Sequence, residues 1–221
     1  MTLHADALAA LESWTAPDAD QERQREAYVA HLRAHADGVY RHGVPDHVTA
    51  SAVVLDRTGS RTLLTLHARA RRWFQLGGHC EEGDRTLAGA AFREAVEESG
   101  VPAERMRVDP VPVQLSPHPV PFCRPARLAA LPEGCVVRHL DVRYLVVAED
   151  DAQIAVSDES LDVRWWPVEA LPDPDPELVA AVGLARRRLA QAGSPVSSPS
   201  AITSSSPGGG SVSVAADQPS R

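Results

Sequence analysis

The chain has 221 residues, 43% hydrophobic and 24% charged, enough to build one core and too apolar for full disorder. Its formal net charge of −8 repels phosphate backbones and weighs against general nucleic-acid binding. No run approaches about eighteen apolar residues, so no membrane-spanning helix is expected. The start, Met1 to Asp6, has neither the basic nor the apolar region of a secretion signal. Cys80, Cys123 and Cys135 are few and odd in number, which fits no disulfide framework and suits a reducing compartment. The expected location is cytoplasmic. All 22 basic residues are arginine, and lysine and asparagine are absent, the mark of a GC-rich coding sequence.

Two helices are expected first, over Leu3–Trp14 and Asp18–His35, with Asp18 or Asp20 as a cap and Gly38 as the stop. Residues 1–45 then form an N-terminal helical extension packed on the main domain. That domain spans 46–192 and mixes strands with helices. Val48–Asp56 and Arg61–Ala68 read as strands joined by an Arg57–Ser60 turn. Trp73–Leu76 leads into Gly77-Gly78, and a helix follows over Arg85–Ser99. Further strands are expected over Met106–Leu115, Val136–Ala148 and Leu161–Trp166, and a last amphipathic helix over Pro176–Ala192. Ser116–Gly134 is a proline-rich connection, long enough to be functional. Residues 193–221, rich in Ser, Pro and Gly, read as a disordered low-complexity tail.

The chemistry concentrates in Gly77 to Val101. Glu94, Glu97 and Glu98 are spaced i, i+3, i+4, within an arc of about 100° on a 3.6-residue helix. Ala88, Ala91, Phe92, Ala95 and Val96 take the opposite, core-facing side. Asp84 is placed to cap the helix, and Gly100 to end it in left-handed backbone. Three carboxylates on one face repel one another until a hard divalent cation joins them, and Mg²⁺ prefers oxygen ligands. Arg93 can fork onto a neighbouring carboxylate, and the glycines let backbone approach a metal closely. Spacing alone would equally suit a solvated acidic face. The glycines upstream, Arg93 directly before Glu94 and Gly100 at the stop make the string far more specific.

Gly78 to Val101 resembles the Nudix box: Gly, five residues, Glu, seven residues, then Arg-Glu-aliphatic-any-Glu-Glu-any-Gly-aliphatic. Arg93, Glu94, Glu97, Glu98, Gly100 and Val101 match, with Ala95 at the aliphatic site. Asp84 stands where the first glutamate belongs, and eight residues separate it from Arg93, the extra one expected in the loop before the helix. Glu159–Leu171, with Trp165-Trp166-Pro167-Val168, resembles the family's closing strand and helix. The string Gly77-Gly78-His79-Cys80-Glu81 resembles actinobacterial members. The resemblance implies an α/β fold, an α/β/α sandwich around a mixed sheet. It also implies hydrolysis of the pyrophosphate bond in a nucleoside diphosphate linked to another group. Glu94 and Glu98 would be the principal Mg²⁺ ligands, with Mn²⁺ as the alternative ion. Glu97 would be a third ligand or the base, the Gly78 carbonyl would complete the set, and Arg93 would orient a glutamate.

Weaker signals accompany these. Glu159 could be a base outside the box, though a surface turn is favoured. Arg71 and Arg72, with Arg69, could reach a substrate phosphate or be solvated strand-end charges. Trp73 or Phe74 could stack on a base, but core packing is favoured. His118, Cys123, Cys135 and His139 invite a zinc reading, yet their gaps match no standard spacing, and the reading is set aside. Asp141 could face the pocket; alternation does not say which way it points. Two rivals share the fold: a ligand sensor without turnover and a prenyl-diphosphate isomerase. RNA decapping is disfavoured by the acidic charge. The expected partner is a small diphosphate. Oligomeric state carries no signature, and a homodimer is left open.

Overall fold

The computed structural model describes residues 1–43, 46–121, 123, 136–150, 152–155, 160–172 and 174–193. Two helices come first, α1 (Leu3–Ser13) and α2 (Ala19–Ala34). Thr2 caps α1, accepting from the Ala5 amide, and Asp18 caps α2, accepting from the Gln21 amide at 2.8 Å. Helix α2 stops at His35, in extended backbone, not at Gly38 as expected; the Gly38 amide turns back onto the His35 carbonyl.

Four strands follow: β1 (His47–Asp56), β2 (Arg61–His67), β3 (Trp73–Phe74) and β4 (Leu76–His79). Helix α3 (Leu87–Ser99), β5 (Met106–Pro119), β6 (Arg138–Ala148), β7 (Ser160–Pro167) and α4 (Pro176–Gly193) complete the described chain. The sheet is mixed: β1 runs parallel to β6, antiparallel to β2 at Val54–Leu55 and antiparallel to β4 at Thr49–Ala52. This split sets Gly77 and Gly78 beside Ser51 and Ala50, in the middle of the sheet.

Strand β5 is longer than the sequence suggests. It pairs with β6 as far as Pro119–Arg138, so the proline-rich connection begins as strand. Pro110, Pro112, Pro117 and Pro119 are tolerated because β5 lies at the end of the strand order, where outward-facing amides have no neighbouring strand, and because the β5–β6 register shifts around Pro112. Gln21 covers part of that edge. Its Oε1 accepts from the Leu115 amide at 2.7 Å, and its Nε2 donates to the Leu115 carbonyl at 3.0 Å, as a neighbouring strand would.

Alternation sorts the two faces. Val48, Ala50, Ala52 and Val54 of β1 pack with Val142, Tyr144 and Val146 of β6 against α3, and Leu3, Leu11, Tyr28 and Leu32 extend this core into α1 and α2. The helical extension therefore shares the core of the sheet. On the other face Val53, Leu55, Leu64 and Leu145 lie under Leu178, Ala181 and Val182 of α4. Trp73 joins this second core, edge-on to Trp166 at 5.2 Å, as its packing reading expected. No helix among the described residues is long and apolar enough to cross a membrane. The segment 194–221, read as a tail, lies outside the described residues.

Candidate active site

Thr86, not Asp84, caps α3: its hydroxyl accepts from the Gly89 amide at 2.9 Å. The Asp6 carboxylate of α1 accepts a further free amide, Leu87 N, at 2.9 Å. Leu87, Ala88, Ala91 and Ala95 hold the helix to the sheet, and Gly100 ends it at φ +66°. A side chain there would collide with Ala155, its Cβ falling 2.7 Å away. With the helix starting at Leu87, the extra residue of the box falls in the preceding loop and the glutamate spacing is intact.

The three glutamates do not share one environment. Glu94 and Glu98 reach down to β4, while Glu97 is more than half exposed. Glu98 accepts from the Gly77 amide at 3.0 Å. Glu94 lies so close to Gly78 that a Cβ there would meet its carboxylate at 2.6 Å. Gly77 is equally obligatory, because a Cβ would fall 2.4 Å from the Ser51 hydroxyl and its φ is +153°. Two adjacent glycines thus form a cradle for two carboxylates, a set of hard oxygen donors that suits Mg²⁺ or Mn²⁺.

Arg93 organises this face. Its guanidinium donates to Asp84 at 3.1–3.2 Å, to Glu94 at 3.1 Å, to Glu97 at 2.8 Å and to the His79 carbonyl at 3.0 Å. Burial opposes the charge, but the Asp84, Glu94 and Glu97 carboxylates outweigh it and raise the guanidinium further above its usual range. Asp84, only 8% exposed, also accepts from the Glu81 amide at 2.8 Å. Sequence position gave it a capping role; in the fold it anchors Arg93. Cys80 is no nucleophile, since burial pushes its thiol up to about 12.

The NUDIX domain family matches residues 45–185, more than half of the chain. The chain belongs to the Nudix family. It is accordingly a hydrolase of pyrophosphate bonds. Solved structures to which this chain is similar include an Ap4A hydrolase from C. elegans, 17% identical, covering 65% of this chain and 98% of its own, with a TM-score of 0.49. The E. coli dihydroneopterin triphosphate pyrophosphohydrolase is 22% identical, covering 68% of this chain and 99% of its own, at 0.49. The NUDIX domain of Shewanella oneidensis NrtR with ADP ribose is 20% identical, covering 65% and 88%, at 0.45. A search of curated proteins returned no match.

Outside the Nudix box the outcome is mixed. Arg72 pairs with Asp175 at 3.3 Å and lies over Phe74, while Arg71 occupies a left-handed turn at φ +56°. None of these contacts brings Arg71 or Arg72 to the glutamates. Glu159 lies outside the described residues. Asp141 points away from α3, into the polar strip between the imidazoles and α4. It accepts from Thr49 at 3.0 Å, Ser51 at 2.7 Å and Arg143 at 3.1 Å, and Gln75 approaches it at 3.4 Å. Arg143 continues to Gln114 at 2.8 Å and Ser116 at 3.1 Å, a buried network with its charge paired.

At the end of that strip, the sheet gathers side chains that spacing alone did not bring together. Cys123 and His139 meet His47 and His79; Cys135 lies outside the described residues, and the His118 ring stands 5.7 Å from that of His139. The His47, His79 and His139 rings lie 4.8–5.2 Å apart. Burial and the neighbouring rings lower His79 to about 4 and His139 to about 2, so both stay neutral. Burial raises the Cys123 thiol, against the charge of Arg41 and its hydrogen bond.

Proposed function

We propose that this chain is a Mg²⁺-dependent Nudix hydrolase that cleaves the pyrophosphate bond of a nucleoside diphosphate linked to another group. The observation that carries the reading is the pair Glu94 and Glu98, held against Gly77 and Gly78 with Arg93 pinned beside them by Asp84. In this reading Glu94, Glu98 and the Gly78 carbonyl hold the ion, with Glu97 as third ligand or base. When bound, Mg²⁺ neutralises charge on the phosphate oxygens and makes a coordinated water more acidic. The chain supplies the rest. In the role of base, Glu97, exposed on the solvent side, would accept a proton from the attacking water. Arg93 fixes the direction of Glu94 and Glu97 and keeps their mutual repulsion from splaying the site. Water adds to one phosphorus, the bridging P–O bond breaks, and the other phosphate leaves with the bond's electrons. Arg71, Arg72 and Glu159 enter this reading as substrate contacts. The acidic surface favours a substrate that arrives as a metal complex, and a small diphosphate over nucleic acid.

The test is a panel of nucleoside triphosphates, ADP-ribose, dinucleoside polyphosphates and nucleotide sugars with Mg²⁺, read by mass spectrometry and phosphate release. Hydrolysis of one class, abolished by chelator, is the expected result. Isomerisation of a prenyl diphosphate at unchanged mass, or binding of a compound without turnover, would replace this reading with one of its rivals.

A further inference from the structure

A second group of metal-binding side chains lies outside the Nudix box. His47 opens β1, His79 closes β4, His139 is the second residue of β6, and Cys123 follows β5. The sheet brings them together: the parallel register sets His47 beside His139, and β4 sets His79 beside Thr49, two residues along from His47. One donor atom from each of the four lies within 4.8 Å of every other. The Cys123 sulfur is 3.7 Å from His79 Nε2 and 3.9 Å from His47 Nε2. A tetrahedral zinc ion with Zn–S near 2.3 Å and Zn–N near 2.0–2.1 Å requires S···N edges of about 3.6 Å and N···N edges of about 3.4 Å. The donors therefore need to close by about 1.4 Å at most to reach that geometry. An independent sign is His139 Nε2, which is buried with no hydrogen-bond partner among the described residues. A buried ring nitrogen without a partner is rare, and a ligand would complete it.

We propose that this chain binds one zinc ion through His47, His79, Cys123 and His139. Three imidazoles and a thiolate are nitrogen and sulfur donors, which select zinc over the magnesium expected at the glutamates. Cys123 binds as thiolate, and its proton passes to solvent. Four protein donors close a tetrahedral shell and leave no position for a reacting water, so the ion is structural. It ties the segment after β5 to the open ends of β1, β4 and β6. His79 follows Gly78 and offers its carbonyl to Arg93 at 3.0 Å, so the clip steadies the strand end against which Glu94 rests.

Metal-stripped full chain would be titrated with Co²⁺, a spectroscopic stand-in for zinc, and separately with Zn²⁺ by calorimetry. The expected result is one tight equivalent per chain, with a thiolate-to-cobalt charge-transfer band and intense visible bands of tetrahedral coordination. Zn²⁺ should displace the colour, and Mg²⁺ should not. Cys123→Ser should abolish the charge-transfer band, and His139→Gln should weaken zinc binding about 100-fold or more. Cys80→Ser and Cys135→Ser should keep the band, as should Glu98→Gln, which separates this site from the glutamate site. The band is read on wild-type protein, so the test survives if a ligand variant misfolds. Absence of the band in wild type, or its persistence in folded Cys123→Ser, would overturn the assignment.

Discussion

The two ends of β4 face different chemistry. Gly77 and Gly78 cradle Glu94 and Glu98, both supplied by one helix. His79, the next residue, turns to the other side of the sheet and meets groups from three other segments. The glutamate face is an oxygen site held by Arg93, whose partners are all carboxylates and one carbonyl. The imidazole face is a nitrogen and sulfur site, continued towards α4 by the Asp141–Arg143 network. One strand can thus border two donor sets of opposite hardness at adjacent residues, because alternation sends neighbouring side chains to opposite faces. On this account the first face carries turnover and the second carries architecture.

That division can be broken by mutation. The largest stability effect is expected for Arg143→Met, which leaves the buried Asp141 carboxylate without its cation. A loss of about 3–5 kcal/mol should appear as a lower denaturant midpoint. A stability change below about 1 kcal/mol would show that the polar strip is not structural. Asp84→Ala should act the other way round. It frees Arg93 without opening the core, so kcat should fall about 30-fold, near 2 kcal/mol of barrier, while the unfolding midpoint moves little. Restored activity in Asp84→Glu would confirm that the carboxylate, not the turn, is responsible.

Gln21→Ala lies on neither face and should cost about 1–3 kcal/mol by leaving the Leu115 amide and carbonyl unpaired, with kcat untouched in thermal-melt and turnover assays. The smallest effect is pH-dependent. Burial raises the Asp56 carboxyl, but hydrogen bonds from Arg61 and Ser60 outweigh it, and the group lies below its ordinary 3.8. Its stabilisation is present above the unfolded value and is lost as pH falls through the folded one. Melting curves from pH 7 to about 3 should therefore converge for wild type and Asp56→Asn at the acid end.

What sequence could reveal follows the same divide. Glu94, Glu97 and Glu98 were legible because a helix converts spacing into a shared face, and Gly100 marked its end. The same arithmetic could not tell that Glu97 stays exposed while Glu94 and Glu98 reach β4, which depends on how α3 docks. Asp84 was misassigned because an acid before a helix reads as a cap, and Thr86 outcompeted it two residues later. His47 and His79 passed unnoticed because the nearness of His47 to His139 arises from a parallel pairing of residues 92 positions apart, and that of His79 from the antiparallel pairing of β4 with β1. Among the described residues, Cys123 and His139 of the set weighed from spacing belong to the cluster, and His118 does not. A histidine at the first position of one strand and the last of another was the sole available hint, and it needs the strand order to become a signal.

The most direct test of the division is Mg²⁺-dependent turnover of the panel substrate by wild type and Glu98→Gln, each first shown to share the same unfolding midpoint. The account predicts a fall in kcat of about a thousandfold or more, some 4 kcal/mol of barrier, with the fold intact. Turnover by Glu98→Gln within about tenfold of wild type would place the chemistry elsewhere and contradict it.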